Sequence, residues 1–110
     1  MRKPKKQRLE KAGWKVGSAR DFLGLTDEEA AMIEMKLALA RGLRKRRRAH
    51  GLTQEELARR LGSSQSRVAK LEAADASVSI DLLIRSLLAL GATRQQLARI
   101  IGRNAEIPAA

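Results

Sequence analysis

Apolar residues recur at intervals of three and four along five stretches of the chain, the spacing of one face of a helix. Met32, Met35, Leu39 and Leu43 form the first stripe, and Leu57, Ala58 and Leu61 the second. Val68 and Leu71 form the third, Ile80, Leu83, Leu87 and Leu90 the fourth, and Leu97, Ile100 and Ile101 the fifth. Polar punctuation sets the boundaries. Thr26 followed by Glu29 is a capping box, which predicts a long helix from there to His50 with no Pro to interrupt it. Thr53 with Glu56 is a second box, and Gly62 ends that helix by turning left-handed. Ser64 is the N-cap expected for the third helix, which runs to Glu72, and 73–78 is a short loop. Ser79 caps a helix from Ile80 to Leu90 ended by Gly91, and Thr93 starts a fifth that Gly102 ends. Further upstream, Ser18 is placed to cap a single turn through Phe22 and Leu23, closed by Gly24.

Two features break the stripes. The first stripe continues onto Arg47, and a charge on a core face needs a partner, because an unpaired buried charge is costly. Glu72, one turn after Val68, is the candidate; the alternative is that Arg47 snorkels to solvent. The fourth helix carries Leu82, Ile84 and Leu88 outside its stripe, so either the first and last helices cover them or they meet another chain.

Between the second and third expected helices only Gly62, Ser63 and Ser64 intervene. Two short helices joined so tightly must cross steeply, which is helix-turn-helix geometry. The third helix then carries Gln65, Ser66, Arg67 and Lys70 on its outer side, groups that hydrogen-bond to base edges and phosphates.

Composition supports an all-α reading. Ala, Leu, Arg, Glu and Lys dominate the 110 residues, with one Phe, one Trp and no Tyr. That length is expected to form one domain. The absence of Cys removes disulfides, thiolate metal sites and Cys nucleophiles. With one His and no carboxylate pair in an apolar setting, neither an enzyme, a metal site nor a cofactor is expected, and His50 reads as a helix-end residue. No apolar run approaches the roughly 20 residues of a membrane span, and no apolar core follows the basic N-terminus, so a cytoplasmic protein without a membrane partner is expected.

The net charge of +11, from 23 Lys and Arg against 12 Asp and Glu, is the electrostatic footprint of a nucleic-acid binder. Its distribution matters more than its sum. Residues 1–12 hold Arg2, Lys3, Lys5, Lys6, Arg8 and Lys11 against Glu10, a disordered basic arm that either tracks phosphates or is a solvated tail. Arg44 to Arg48 are five bases in succession and point all round their helix. Arg44 and Arg48 are expected to reach phosphates. Residues 13–25 contain the Gly-bounded segment GWKVG, in which Trp14 either folds back onto the core or, with Val16 and Phe22, anchors a protein partner.

The run from Leu43 to Ile101 resembles the Cro/C1-type (XRE) helix-turn-helix family. Its signature here is Arg47 four before Gly51, then GLTQEELARRLGSSQSRVAKLE, then SIDLLIRSLLALG. A longer stretch, GWKVGSARDFLGL through the first helix, looks like the HigA-like antitoxins of bacterial type II toxin–antitoxin modules. The likeness covers about residues 13–102. It implies a five-helix domain over 26–102, with a long first helix and a flexible tail at 103–110. It also implies that Gln65, Ser66, Ala69 and Lys70 read bases, and that Gln54 holds a phosphate and braces Gln65. Ser64 and Arg67 would be further positioning contacts, and the family's buried Arg–Glu pair falls on Arg47 and Glu72. Ala69 departs from the polar residue frequent at its position and offers only a methyl contact, such as to thymine. The function so implied is a homodimeric repressor on a near-palindromic operator, acting as an antitoxin that controls its own operon and neutralises a ribonuclease toxin through Trp14, Val16 and Phe22. Two rivals remain: a stand-alone or phage-type repressor, and a basic protein that coats nucleic acid without sequence preference.

Overall fold

The computed structural model describes residues 23–103. These form five helices and no strand: α1 (Asp27–Ala49), α2 (Gln54–Leu61), α3 (Gln65–Glu72), α4 (Ile80–Ala89) and α5 (Arg94–Arg103). The basic arm at 1–12, the GWKVG segment and the tail beyond residue 103 lie outside the described residues.

Local chemistry starts each helix. The Thr26 hydroxyl accepts the Glu29 N–H at 3.1 Å, while the Thr26 N–H donates to Glu29 Oε1 at 2.9 Å. Thr53 with Glu56 and Thr93 with Gln96 repeat that reciprocal box at α2 and α5. Ser64 and Ser79 accept the N–H groups of Arg67 and Leu82, each at 3.1 Å. At the end of α2, Gly62 is left-handed (φ 65°), and the Ser63 N–H donates to the Ala58 carbonyl at 2.8 Å, closing the helix in a Schellman turn.

α1 is the post on which the others pack: α3, α4 and α5 all rest against it, and α2 touches α3 and α4. Leu39, Leu43, Leu57, Val68, Leu71, Leu83 and Leu87 are all but completely buried and join α1 to α4 in one core, to which α5 adds Leu97. Gly42 sets the approach of α5. A Cβ placed there would lie 3.1 Å from Ile100 Cδ1, closer than nearly all real contacts, so the helices are spaced for a missing side chain.

Three sequence expectations change. The first stripe is not buried along its length: Met32 is 52% exposed and Met35 half-buried, and continuous burial begins only at Ala38. α1 is simply longer than the body that packs on it. α5 does not stop at Gly102 but continues through it to Arg103, because a glycine ends a helix only by turning left-handed, and Gly102 is not among the residues of positive φ. On α4, Leu82 and Ile84 are half-covered by the core, whereas Leu88 stays 46% exposed. Ser86, a polar residue buried on α4, donates to the Leu82 carbonyl at 2.8 Å and is satisfied within its own helix.

Candidate nucleic-acid interface

The interface candidate is built on the turn between α2 and α3. Val68 and Leu71 bury one side of α3, which turns Gln65, Ser66, Arg67 and Lys70 outward, all exposed. Ala69 is half-buried, so only part of its methyl reaches the surface.

Behind α3 lies a chain of polar contacts that begins in α1. Arg47 sets two nitrogens on the Glu72 carboxylate, Nε to Oε2 at 2.5 Å and a terminal nitrogen to Oε1 at 3.0 Å. Its other terminal nitrogen donates to the Leu52 carbonyl at 2.7 Å, which ties down the link between α1 and α2. The side chains of Arg47 and Glu72 are 11% and 4% exposed, so this fork is largely shielded from water. The Glu72 contact raises the Arg47 pKa above its ordinary value, so the guanidinium keeps its charge.

Glu72 Oε1 also accepts from Gln54 Nε2 at 3.1 Å, and Gln54 Oε1 accepts from Gln65 Nε2 at 2.7 Å. The consequence is a matter of counting hydrogens. An amide nitrogen has two; Gln65 spends one on Gln54 and keeps the other, together with Oε1. Those are the donor and acceptor that match N7 and the N6 amino group of adenine in the major groove. Gln54 likewise keeps one N–H after serving Glu72, and it sits at the first residue of α2, where the helix dipole favours a phosphate.

The five bases of α1 separate by role. Arg44 and Arg48 are exposed, four residues apart and therefore on one strip of the helix. Arg47 is held by Glu72. Arg46, which the sequence did not single out, donates through Nε to the Leu90 carbonyl at 3.0 Å and through a terminal nitrogen to Gln96 Oε1 at 3.3 Å. It thereby caps the end of α4 with positive charge and is committed to structure. Its position three residues after the buried Leu43 was the available signal, masked by the like-charged neighbours on both sides. His50 is an exposed cap residue of α1. Trp14, Val16 and Phe22 lie outside the described residues. Among the described residues no group of three or more His, Asp and Glu side chains is placed to hold a metal ion, and no helix is long and apolar enough to cross a membrane.

Two packed helices joined by a three-residue turn, the second exposed and polar and braced from behind by a shielded ion pair, define a DNA-binding helix-turn-helix module. The helix-turn-helix family model matches residues 43–97, half of the chain. The protein belongs to this family, of the Cro/C1 type, and is a DNA-binding transcription regulator of that class. Neither the curated proteins nor the solved structures yield a match.

Proposed function

We propose that the protein is a homodimeric repressor that reads a near-palindromic operator and serves as the antitoxin of a type II toxin–antitoxin module. Residues 26–102 form its DNA-binding domain, and 13–25 its partner-binding segment. The observation that carries the DNA reading is the Gln65–Gln54 hydrogen bond, which holds the Gln65 amide in one orientation with one donor and one acceptor to spare. Gln65 pairs with adenine, Ser66 and Lys70 reach neighbouring base edges, and Ala69 contributes its partly exposed methyl. Gln54, Ser64, Arg67, Arg44 and Arg48 set the register on phosphates. One such helix covers too few base pairs for useful specificity, so two copies read half-sites roughly 34 Å apart.

The antitoxin role is supported by the resemblance of the block GWKVGSARDFLGL and by exposed apolar residues at its end and in the first turns of α1. Leu23, Met32 and Ile33 are 62%, 52% and 38% exposed. Trp14, Val16 and Phe22 are the toxin anchors in this reading.

Two measurements test the two roles separately. Gln65→Ala should cost about 1–3 kcal/mol on the operator and little on random DNA in a competition mobility shift. Equal losses on both would take Gln65 out of base reading, and loss of all preference in the unaltered protein would leave only charge-driven coating. For the antitoxin role, co-expression with the product of the adjacent gene should rescue growth and co-purify the pair. A neighbour that is harmless alone leaves the protein a stand-alone repressor.

A further inference from the structure

The first half of α1 is unlike the rest of the protein. From Asp27 to Met35 it carries Asp27, Glu28, Glu29 and Glu34 and no base, whereas the chain as a whole has a net charge of +11. On this acidic turn of helix, Leu25, Glu28, Glu29, Met32 and Ile33 line a shallow, almost wholly apolar depression of about 360 Å³. Exposed apolar groups ringed by acids call for an occupant that is apolar and basic.

The chain itself supplies one. The twenty residues at its start include Arg2, Lys3, Lys5, Lys6, Arg8, Lys11, Lys15 and Arg20 against a single acid, and they carry Trp14 and Val16. The described chain begins at Leu23, immediately beside the depression. The nine residues from Trp14 to Leu23 can span at most about 30 Å, while Asp27 to Ile33 advance only about 9 Å along the helix axis. Trp14 therefore reaches any point of the depression with slack to spare. A tether this short holds its end at an effective concentration on the order of millimolar, so even weak complementarity gives substantial occupancy.

We propose that the depression formed by Leu25, Met32 and Ile33 is the docking site of the protein's own N-terminal segment, with Trp14 as the apolar anchor and the basic residues around it facing Glu28 and Glu29. Docking covers the exposed apolar surface of the free regulator and holds the basic arm on acidic protein rather than on nucleic acid. DNA phosphates then compete for the arm, so displacing it is part of binding. This holds whether or not a toxin exists; where one does, it must compete for Trp14 or for the depression.

Trp14 is the only tryptophan of the chain, so its fluorescence reports the contact directly in the full-length protein. The expected result is blue-shifted emission with reduced access to a soluble quencher, unchanged on dilution. Ile33→Glu and Met32→Glu should each return emission and quenching to those of a solvated indole, with the far-ultraviolet helical signal unaltered. Leu88→Glu, a charge placed on the other exposed apolar position in α4, should leave Trp14 as it is. Adding duplex DNA at low salt should release Trp14 in the unaltered protein. Solvated emission from the outset, or blue-shifted emission that neither α1 substitution moves, overturns the proposal. A blue shift that fades on dilution assigns the depression to a second copy and overturns it equally.

Discussion

The two halves of α1 are one uninterrupted helix with opposite relations to the rest of the protein. From Ala38 to Arg48 the helix is held from three sides. Leu39 and Leu43 are fully buried, Gly42 admits Ile100, Arg46 holds the end of α4, and Arg47 holds Glu72. From Asp27 to Met35 it projects beyond that body, acidic where the other half is basic, with Met32 and Ile33 open to solvent. The difference teaches that a helix's continuity and its burial have separate causes. Capping and propensity extend α1 over both halves, whereas only the second half contributes to the core cluster. The held half is the platform that aims α3, and the projecting half is the surface free for other work.

Removing Glu72 should separate the halves most sharply. Glu72→Ala leaves the Arg47 charge largely shielded without a partner and should destabilise by about 3 kcal/mol, read by urea denaturation. It also deprives Gln54 of the acceptor that aligns it with Gln65, so operator preference should weaken in the fraction that remains folded. A shift of only a few tenths of a kcal/mol would mean that water already serves the pair.

Gly42→Leu should come next, at about 1–3 kcal/mol, because the space beside Ile100 is taken and α5 must move away. Gly42→Ala is the finer probe. It gains about 1 kcal/mol of helix propensity against the overlap at 3.1 Å. A stabilised alanine variant would show that the Ile100 end yields easily and that the spacing is soft.

Acid should act on the body of the domain through carboxylates bonded in the folded state. Hydrogen bonds from Thr53 hold Glu56 below its ordinary pKa, and those from Ser77 do the same for Asp75. A depressed folded pKa contributes stability that is present above the unfolded value and lost as pH falls through the folded one. The melting temperature should therefore decline as pH drops below the usual carboxylate range. Glu56→Gln should make that decline shallower, and an identical slope would show that α2 does not depend on the ionised box.

The smallest effect is expected in the projecting half. Met32→Glu should change stability by no more than about 0.5 kcal/mol, since its side chain is more than half exposed. A loss comparable to that of Glu72→Ala would make the first half of α1 part of the core after all, and the contrast between the halves would collapse.

How much of this was legible in the sequence depended on how local the cause was. Capping boxes act within four residues, so the starts of α1, α2 and α5 can be read from Thr26, Thr53 and Thr93. Gly62 is read the same way, since a left-handed turn is the residue's own property. Arg47 needed a partner because of its register on the first stripe, and Glu72 was named from register alone; the structure has them 2.5 Å apart. Register could not show where the stripe ceases to be covered, since Met32 and Leu39 are equivalent in spacing and opposite in exposure. Nor could it distinguish Arg46 from Arg44 and Arg48, because the acceptor that engages Arg46 is a carbonyl 44 residues away.

The sequence by itself determined which segments are helical, where the helices start, and that a tight turn sets an outward polar helix beside basic charge. These follow from interactions within one or two turns of chain. Only the tertiary structure decided which half of α1 is a platform, which arginine of the basic run is spent on structure, and how a shielded ion pair reaches Gln65 through Gln54. Those outcomes depend on which distant groups the packing of five helices brings within hydrogen-bond distance. No periodicity along a single chain records that.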